Sequence, residues 1–221
     1  MKGQLLGVVS ACLLCAFCAP AGAVTIDYSN TVGSTINFNP LNGCGGGVVG
    51  CFDFSPDSPS TSINITSGTA SGFLGNIDGT FGVGAIDISL SPLETASVSG
   101  TGTLTIIDGS NTLMADLVWI DIFSVGVAGG TNVGGTANLS NITYGGSNPD
   151  LLALLNGGSG IQTMTYQFAT PHSLTQLFTT STTVMSTSFS GNITPVPVPA
   201  AVWLFGSGLL GLVGIARRRK A

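Results

Sequence analysis

Two cysteines, Cys44 and Cys51, carry the clearest chemical prediction in this chain. They bracket a glycine-rich segment, CGGGVVGC. In an exported protein such a pair oxidises by default, and the two ends of the chain indicate export. A redox or metal-binding pair is the alternative, but no histidine or further cysteine lies nearby to complete a metal set. We therefore predict a disulfide between these two residues and no metal site.

The other reactive residues do not indicate a catalytic site. His172 is the one histidine, and no nucleophile-elbow pattern accompanies it, so we interpret it as a surface histidine in a turn. The ten carboxylates offer many pairs, but no spacing selects two of them for glycoside hydrolysis. The sequence predicts a non-enzymatic protein that needs no cofactor.

Two oxygen-rich turns leave specific calcium sites open as an alternative. Residues 76–79 (NIDG) and 108–111 (DGSN) contain donors that suit a hard cation, but neither matches the twelve-residue helix-loop-helix pattern. A β-turn alone explains both. Diffuse binding of divalent ions by the acidic body is a separate hypothesis.

Charge is divided sharply along the chain. The basic residues lie only at the two ends: Lys2, Arg217, Arg218, Arg219 and Lys220. The acidic residues lie only in the body between them: Asp27, Asp53, Asp57, Asp78, Asp87, Glu94, Asp108, Asp116, Asp121 and Asp150. The body therefore carries ten carboxylates and no Lys or Arg. It has no cationic surface for phosphates, which excludes nucleic-acid binding.

The elements that would position these residues are strands. In the segment SVSGTGTLTII, Val98, Leu104 and Ile106 share one strand face and Ser or Thr residues the other. A turn at 108–111 leads to an apolar strand over 112–123, which we expect to be covered on both faces with Trp119 buried. Similar alternation occurs at Ile86, Ile88 and Leu90. Many short strands between glycine-rich turns predict an all-β fold over 24–194, a β-sandwich of jelly-roll type, rather than a disordered glycine-rich matrix protein.

One short helical insertion is predicted within this domain. Asn148 would cap it, Pro149 would occupy the first helical position and Asp150 would complement the helix dipole. Apolar residues 151–155 follow, and Gly157 would end the helix. A shorter helical turn is expected around 171–178.

The N-terminus predicts a cleaved signal peptide over 1–23. Lys2 gives a positive start, no charged residue occurs between Leu5 and Ala19, and Ala21-Gly22-Ala23 fits the small-x-small cleavage pattern. The protein is therefore expected to be a substrate of signal peptidase, with cleavage after Ala23.

The C-terminus has three parts. A proline-rich linker occupies 195–199, an uncharged apolar stretch occupies 200–216 and a basic tail occupies 217–221. Seventeen residues give a helix of about 25 Å, at the short end of what spans a bilayer. Arg217, Arg218, Arg219 and Lys220 would hold the end of this transmembrane helix in the cytoplasm.

The segment VPVPAAVWLFGSGLLGLVGIARRRK resembles the bacterial PEP-CTERM sorting signal in its VPxP variant, although Val198 stands where the namesake motif has glutamate. The sorting motif is then Val196, Pro197, Val198, Pro199 and Ala200. The resemblance covers none of the body.

This resemblance implies export, transient anchoring in the inner membrane of a Gram-negative bacterium, and cleavage near the proline motif by an exosortase-like membrane peptidase. The released protein is expected at the cell surface or in an extracellular matrix, where exopolysaccharide is a candidate partner. A carbohydrate-binding module or polysaccharide-active enzyme delivered by the same route is the alternative.

Overall fold

A computed structural model describes residues 24–196, except 41–43, 45–46, 58–59, 126–131 and 171. The predicted signal peptide with Ala21 and Ala23, the sorting residues 197–200, the apolar stretch to 216 and the basic residues 217–220 all lie outside the described residues. Within the described part, no helix combines the length and the apolar character needed to cross a membrane.

The described chain is mostly β-strand. The strands are β1 (Ile26–Asn30), β2 (Thr35–Pro40), β3 (Gly50–Ser55), β4 (Ile63–Ile65), β5 (Leu74–Asp78), β6 (Thr80–Leu90), β7 (Leu93–Ser99), β8 (Thr101–Asp108), β9 (Asn111–Val125), β10 (Asn132–Thr143), β11 (Gly160–Gln167) and β12 (Met185–Pro195). A helix, α1 (Pro149–Gly157), lies between β10 and β11, and a π-helical turn (Gln176–Thr180) precedes β12. The predicted all-β class and the helical insertion are both confirmed.

All twelve strands join one antiparallel sheet that closes on itself. The chain crosses the sheet eight times, and we call each crossing a path. Four paths are the single strands β9, β10, β11 and β12. The other four each consist of two successive strands: β1 with β2, β3 with β4, β5 with β6, and β7 with β8. Each path pairs with the next one along the chain. The last path, β12, pairs with β2 through 185–187 and with β1 through 190–193, so every strand has a neighbour on both sides.

This connectivity corrects the expected topology. A jelly roll needs long connections that carry the chain past its neighbouring strand. Here consecutive paths are hydrogen-bonded neighbours throughout, which makes the sheet a closed meander. The predicted β-sandwich of jelly-roll type is not confirmed, because strand alternation and turn spacing look the same in either topology.

Four of the eight paths are interrupted midway. The segment that the sequence predicts as one strand over 97–107 is divided at Gly100, whose φ is 112°. β7 and β8 on its two sides both pair with β9, so the hairpin itself is confirmed. A Cβ at Gly100 would lie 2.8 Å from the carbonyl oxygen of Thr80. The break therefore requires glycine for both its conformation and its close approach.

An aromatic cluster fills part of the interior. Its rings come from β2, β3, β6, β9, β11, β12 and the π-helical turn: Phe38, Phe52, Phe54, Phe81, Trp119, Tyr166, Phe178 and Phe189. Phe52 lies at the centre, with ring centroids 4.9 Å from Trp119 and 5.3 Å from Phe81. Trp119 is 3% exposed, which confirms its predicted burial.

The expectation that the 112–123 strand is covered on both faces is wrong. Leu113, Leu117 and Trp119 point into the core, but Met114 and Ile120 are about half exposed on the outer face. Ile88 and Leu90 are also exposed, so their alternation does not mark a buried face. Alternation of apolar residues indicates a strand. It does not show whether neighbouring elements cover the faces of that strand.

Two tyrosines are buried with little polar compensation. The hydroxyl of Tyr28 accepts a hydrogen bond from Gln162 Nε2 at 2.5 Å, whereas the Tyr166 hydroxyl has no partner among the described residues. Burial raises the pKa of both hydroxyls well above the ordinary value, and the neighbouring Tyr28 raises that of Tyr166 further. Ionisation of either hydroxyl is therefore unfavourable in the folded domain.

We therefore expect the domain to lose stability in alkali. Unfolded tyrosine ionises near pH 10, and the two buried side chains hold their protons to higher pH. The folded state binds more protons above pH 10, so the free energy of unfolding falls as pH rises, by about 1.4 kcal/mol per pH unit for each tyrosine. Between 24 and 196 there is no Lys or Arg, and Cys44 and Cys51 are disulfide-bonded, so few other groups titrate in this range.

Urea unfolding at pH 8 to 12 measures this slope. Tyr28→Phe and Tyr166→Phe should each make it shallower. Stability that is independent of pH up to 12 would contradict the burial of these hydroxyls.

Candidate functional site at the terminal end

Both ends of the domain lie at one end of the closed sheet, which we call the terminal end. Ile26 pairs with Ile193, so the start of β1 lies beside the last residues of β12. The sheet contains an even number of antiparallel paths, so the chain must leave at the end where it enters. The terminal end also includes the loop 66–73, the turn 108–111 and the segment 144–159.

The chain remains in the sheet up to the first residue of the predicted sorting motif. Pro195 pairs with Gly160, the first residue of β11, and the Val196 N–H donates to the Ser159 carbonyl at 3.0 Å. A Cβ on Gly157 would meet Pro195 at 3.3 Å, so the end of α1 packs closely against the departing chain. Val196 is 38% exposed.

The helix α1 has the caps that the sequence predicts. The Asn148 side chain accepts hydrogen bonds from the N–H groups of Asp150 and Leu151. Gly158, one residue beyond the predicted end, takes the left-handed conformation that closes the helix. Ser159 follows directly after the helix, and its carbonyl accepts the hydrogen bond from Val196.

Asp150 has a role that the sequence does not reveal. Its carboxylate is buried, 9% exposed, and accepts hydrogen bonds from the backbone N–H of Thr69 at 2.5 Å and of Ala70 at 3.3 Å. Gly68 makes room for it, because a Cβ there would lie 2.2 Å from Oδ2. The contact fixes α1 to the loop 66–73, which is 80 residues earlier in the chain.

A polar network extends this attachment across the terminal end. Asn148 donates from its side chain to the Thr69 carbonyl at 2.9 Å and from its backbone to the Tyr144 hydroxyl at 2.9 Å. Tyr144 donates in turn to Asp108. Partial burial and this carboxylate raise the pKa of Tyr144. The turn predicted as a calcium candidate at 108–111 therefore has its carboxylate engaged within the domain.

The first residues of the domain join the same arrangement. The Asp27 N–H donates to Ser67 Oγ at 2.8 Å, and Ser67 Oγ donates to the Thr25 carbonyl at 3.4 Å. The start of β1 and the end of β12 are thus both held by neighbouring segments. Among the described residues, the terminal end groups no Cys or His side chains with them.

The disulfide is confirmed. Cys44 and Cys51 are bonded, with their Cα atoms 5.6 Å apart, at the end of the sheet opposite the terminal end. His172 is partly buried, and its ring meets Phe168 edge to face at 5.2 Å. Among the described residues no three His, Cys, Asp or Glu side chains are grouped so as to hold a metal ion.

Several of the remaining carboxylates accept hydrogen bonds from neutral donors. Asp53 accepts from the side-chain amides of Asn37 and Asn39, both at 2.8 Å. Asp116 accepts from Asn141 at 2.7 Å. The backbone N–H of Ser89 lowers the pKa of Asp87.

A shallow polar groove of about 180 Å³ lies where β12 changes partner from β2 to β1. Its lining includes Ser29, Asn30, Thr165, Gln167, Ser188 and Ser190. Thr165 already bonds the Ser190 carbonyl at 3.4 Å. The groove offers neutral hydroxyl and amide groups. No sequence pattern indicates this groove, because it forms where β12 changes its pairing from β2 to β1.

Comparison with known proteins gives no relative: no family model, no curated protein and no solved structure matches this chain.

The role of Asp150 can be tested by substitution. Asp150→Ala should lower the free energy of unfolding by about 1–3 kcal/mol, because it leaves the buried N–H of Ala70 without an acceptor. Asp27→Ala removes the same charge from an exposed position and should change stability by no more than about 0.5 kcal/mol. Urea unfolding at neutral pH compares the two variants, and equal effects would show that Asp150 is not a structural contact.

Proposed function

We propose that this chain is an exported, non-enzymatic protein of the bacterial surface or extracellular matrix, anchored transiently by its C-terminal segment and released by an exosortase-like peptidase. Its partners in this proposal are signal peptidase, that membrane peptidase, the inner membrane during transit and, after release, exopolysaccharide. The proposal rests on the two terminal signals in the sequence and on how the domain ends.

The observation that carries the proposal is the position of Val196. Among the described residues, the last backbone hydrogen bond is the one from Val196 to Ser159, and the VPVP motif begins at the same residue. Cleavage within or after the motif would leave all of β12 in the sheet. The end of β12 at Pro195, directly before the motif, therefore supports the proposal.

Three further properties suit an exported protein. Disulfides such as Cys44–Cys51 persist in oxidising compartments and are rare in cytosolic proteins. The closed sheet leaves none of the described strands with a free edge, which limits edge-to-edge aggregation outside the cell. Ten carboxylates without cations give the released body a negative surface that favours solubility.

The groove beside Ser188 and Ser190 is the feature that favours the alternative, a carbohydrate-binding module. Its uncharged hydroxyl and amide groups suit a neutral sugar. A sugar-stacking platform needs exposed Trp or Tyr side chains, and the domain has four candidates. Trp119, Tyr28 and Tyr166 are buried, and the partly buried Tyr144 does not line the groove. We therefore place the non-enzymatic surface protein first.

Intact-mass analysis of the exported protein tests the proposal. We expect an N-terminus at Val24 and, in a host that has the peptidase, a C-terminus between 196 and 200. Trypsin should leave this product uncut even after denaturation and reduction, because residues 24–195 contain no Lys or Arg.

A host without the peptidase supplies the control: there the protein should keep its tail, and trypsin should cut only within 217–220. A product that keeps its signal peptide and stays dissolved in the cytosol would contradict the proposal.

A further inference from the structure

We infer that the terminal end faces the lipid surface, and rests against it, while the tail is inserted. This orientation rests on the proposed function, which supplies the inserted tail. It goes beyond that function by naming the surface of the domain that meets the headgroups.

The first argument is the length of the tether. Val196 is hydrogen-bonded to the domain, and the apolar stretch begins at Ala200. Four residue steps can span at most about 14 Å when fully extended. Two of the intervening residues are prolines, which stiffen the connection. The folded domain therefore cannot turn its opposite end towards the bilayer without breaking the sheet.

The second argument is the dimension of the domain. β12 has 11 residues, so along the strand Val196 lies about 35 Å from the loop before Met185. The opposite end does carry exposed apolar side chains, including Ile88 and Leu90. They lie about 35 Å along the strands from the point of attachment, whereas the loop 66–73 and the turn 108–111 lie at the same end of the sheet as Val196.

The third argument is the surface itself. Of the carboxylates at the terminal end, Asp150 is buried and Asp108 accepts a hydrogen bond from Tyr144, which leaves Asp27 exposed. Leu74 and Ile107 pair on the outer wall next to this end and are 43% and 40% exposed. Exposed apolar side chains beside the point of attachment suit contact with a lipid surface.

Headgroup quenching tests the orientation. The full chain would be exported in a host without the processing peptidase, purified with its tail and reconstituted into vesicles of phosphatidylethanolamine and phosphatidylglycerol that carry a headgroup nitroxide. Ser110→Cys labels the terminal end with a fluorophore, and Thr182→Cys labels the opposite end. Both positions are exposed, and the native cysteines of the domain are disulfide-bonded.

We expect quenching at position 110 to be several-fold stronger than at 182. A flexible Gly-Ser insertion of about ten residues after Val196 should reduce the difference, because it lengthens the tether by up to about 35 Å. Equal quenching at the two positions, or stronger quenching at 182, would overturn the orientation. A chain that does not float with the vesicles at all would overturn the proposed function instead, so the two failures are distinguishable.

Discussion

The structure depends on closure of the backbone hydrogen-bond ladder by its last strand. β12 pairs with β11 on one side and with β1 and β2 on the other, so the first and last paths of the chain complete the sheet together. Closure encloses the aromatic cluster around Phe52 and leaves no described strand with an open edge. It also places the start and the end of the domain side by side.

The second constraint is electrostatic. Residues 24–196 contain no Lys or Arg, so no carboxylate of the domain can form a salt bridge with such a residue within it. Side-chain amides, hydroxyls and backbone N–H groups are the hydrogen-bond donors to the carboxylates instead. Asp53, Asp116 and Asp150 each accept hydrogen bonds from such donors. Asp121 is an exception, since one of its oxygens is buried without a partner among the described residues. The many Asn, Ser and Thr residues thus hold the acidic groups as well as forming turns.

Local features of this fold can be predicted from the sequence. The caps of α1, the Cys44–Cys51 bond, the hairpin around 108–111 and the burial of Trp119 all follow from patterns within a few residues. Closure of the sheet cannot be predicted in this way, because Ile26 and Ile193 are far apart in the sequence and their pairing leaves no local signal. The same holds for Asp150, whose capping position is visible while its partners at Thr69 and Ala70 are not. Met114 and Ile120 look like core residues, and only the tertiary structure shows that nothing covers them.

We expect the folding of the domain to depend on the last residues of β12, which pair with both β1 and β11. Urea unfolding of the chain 24–196 and of the shorter chain 24–189 tests it most directly, since the shorter chain lacks the residues that pair with Ile26 through Ser29. We predict cooperative unfolding for 24–196 and loss of the cooperative transition for 24–189. Equal midpoints for the two chains would show that the sheet does not need its last strand, and would contradict the account.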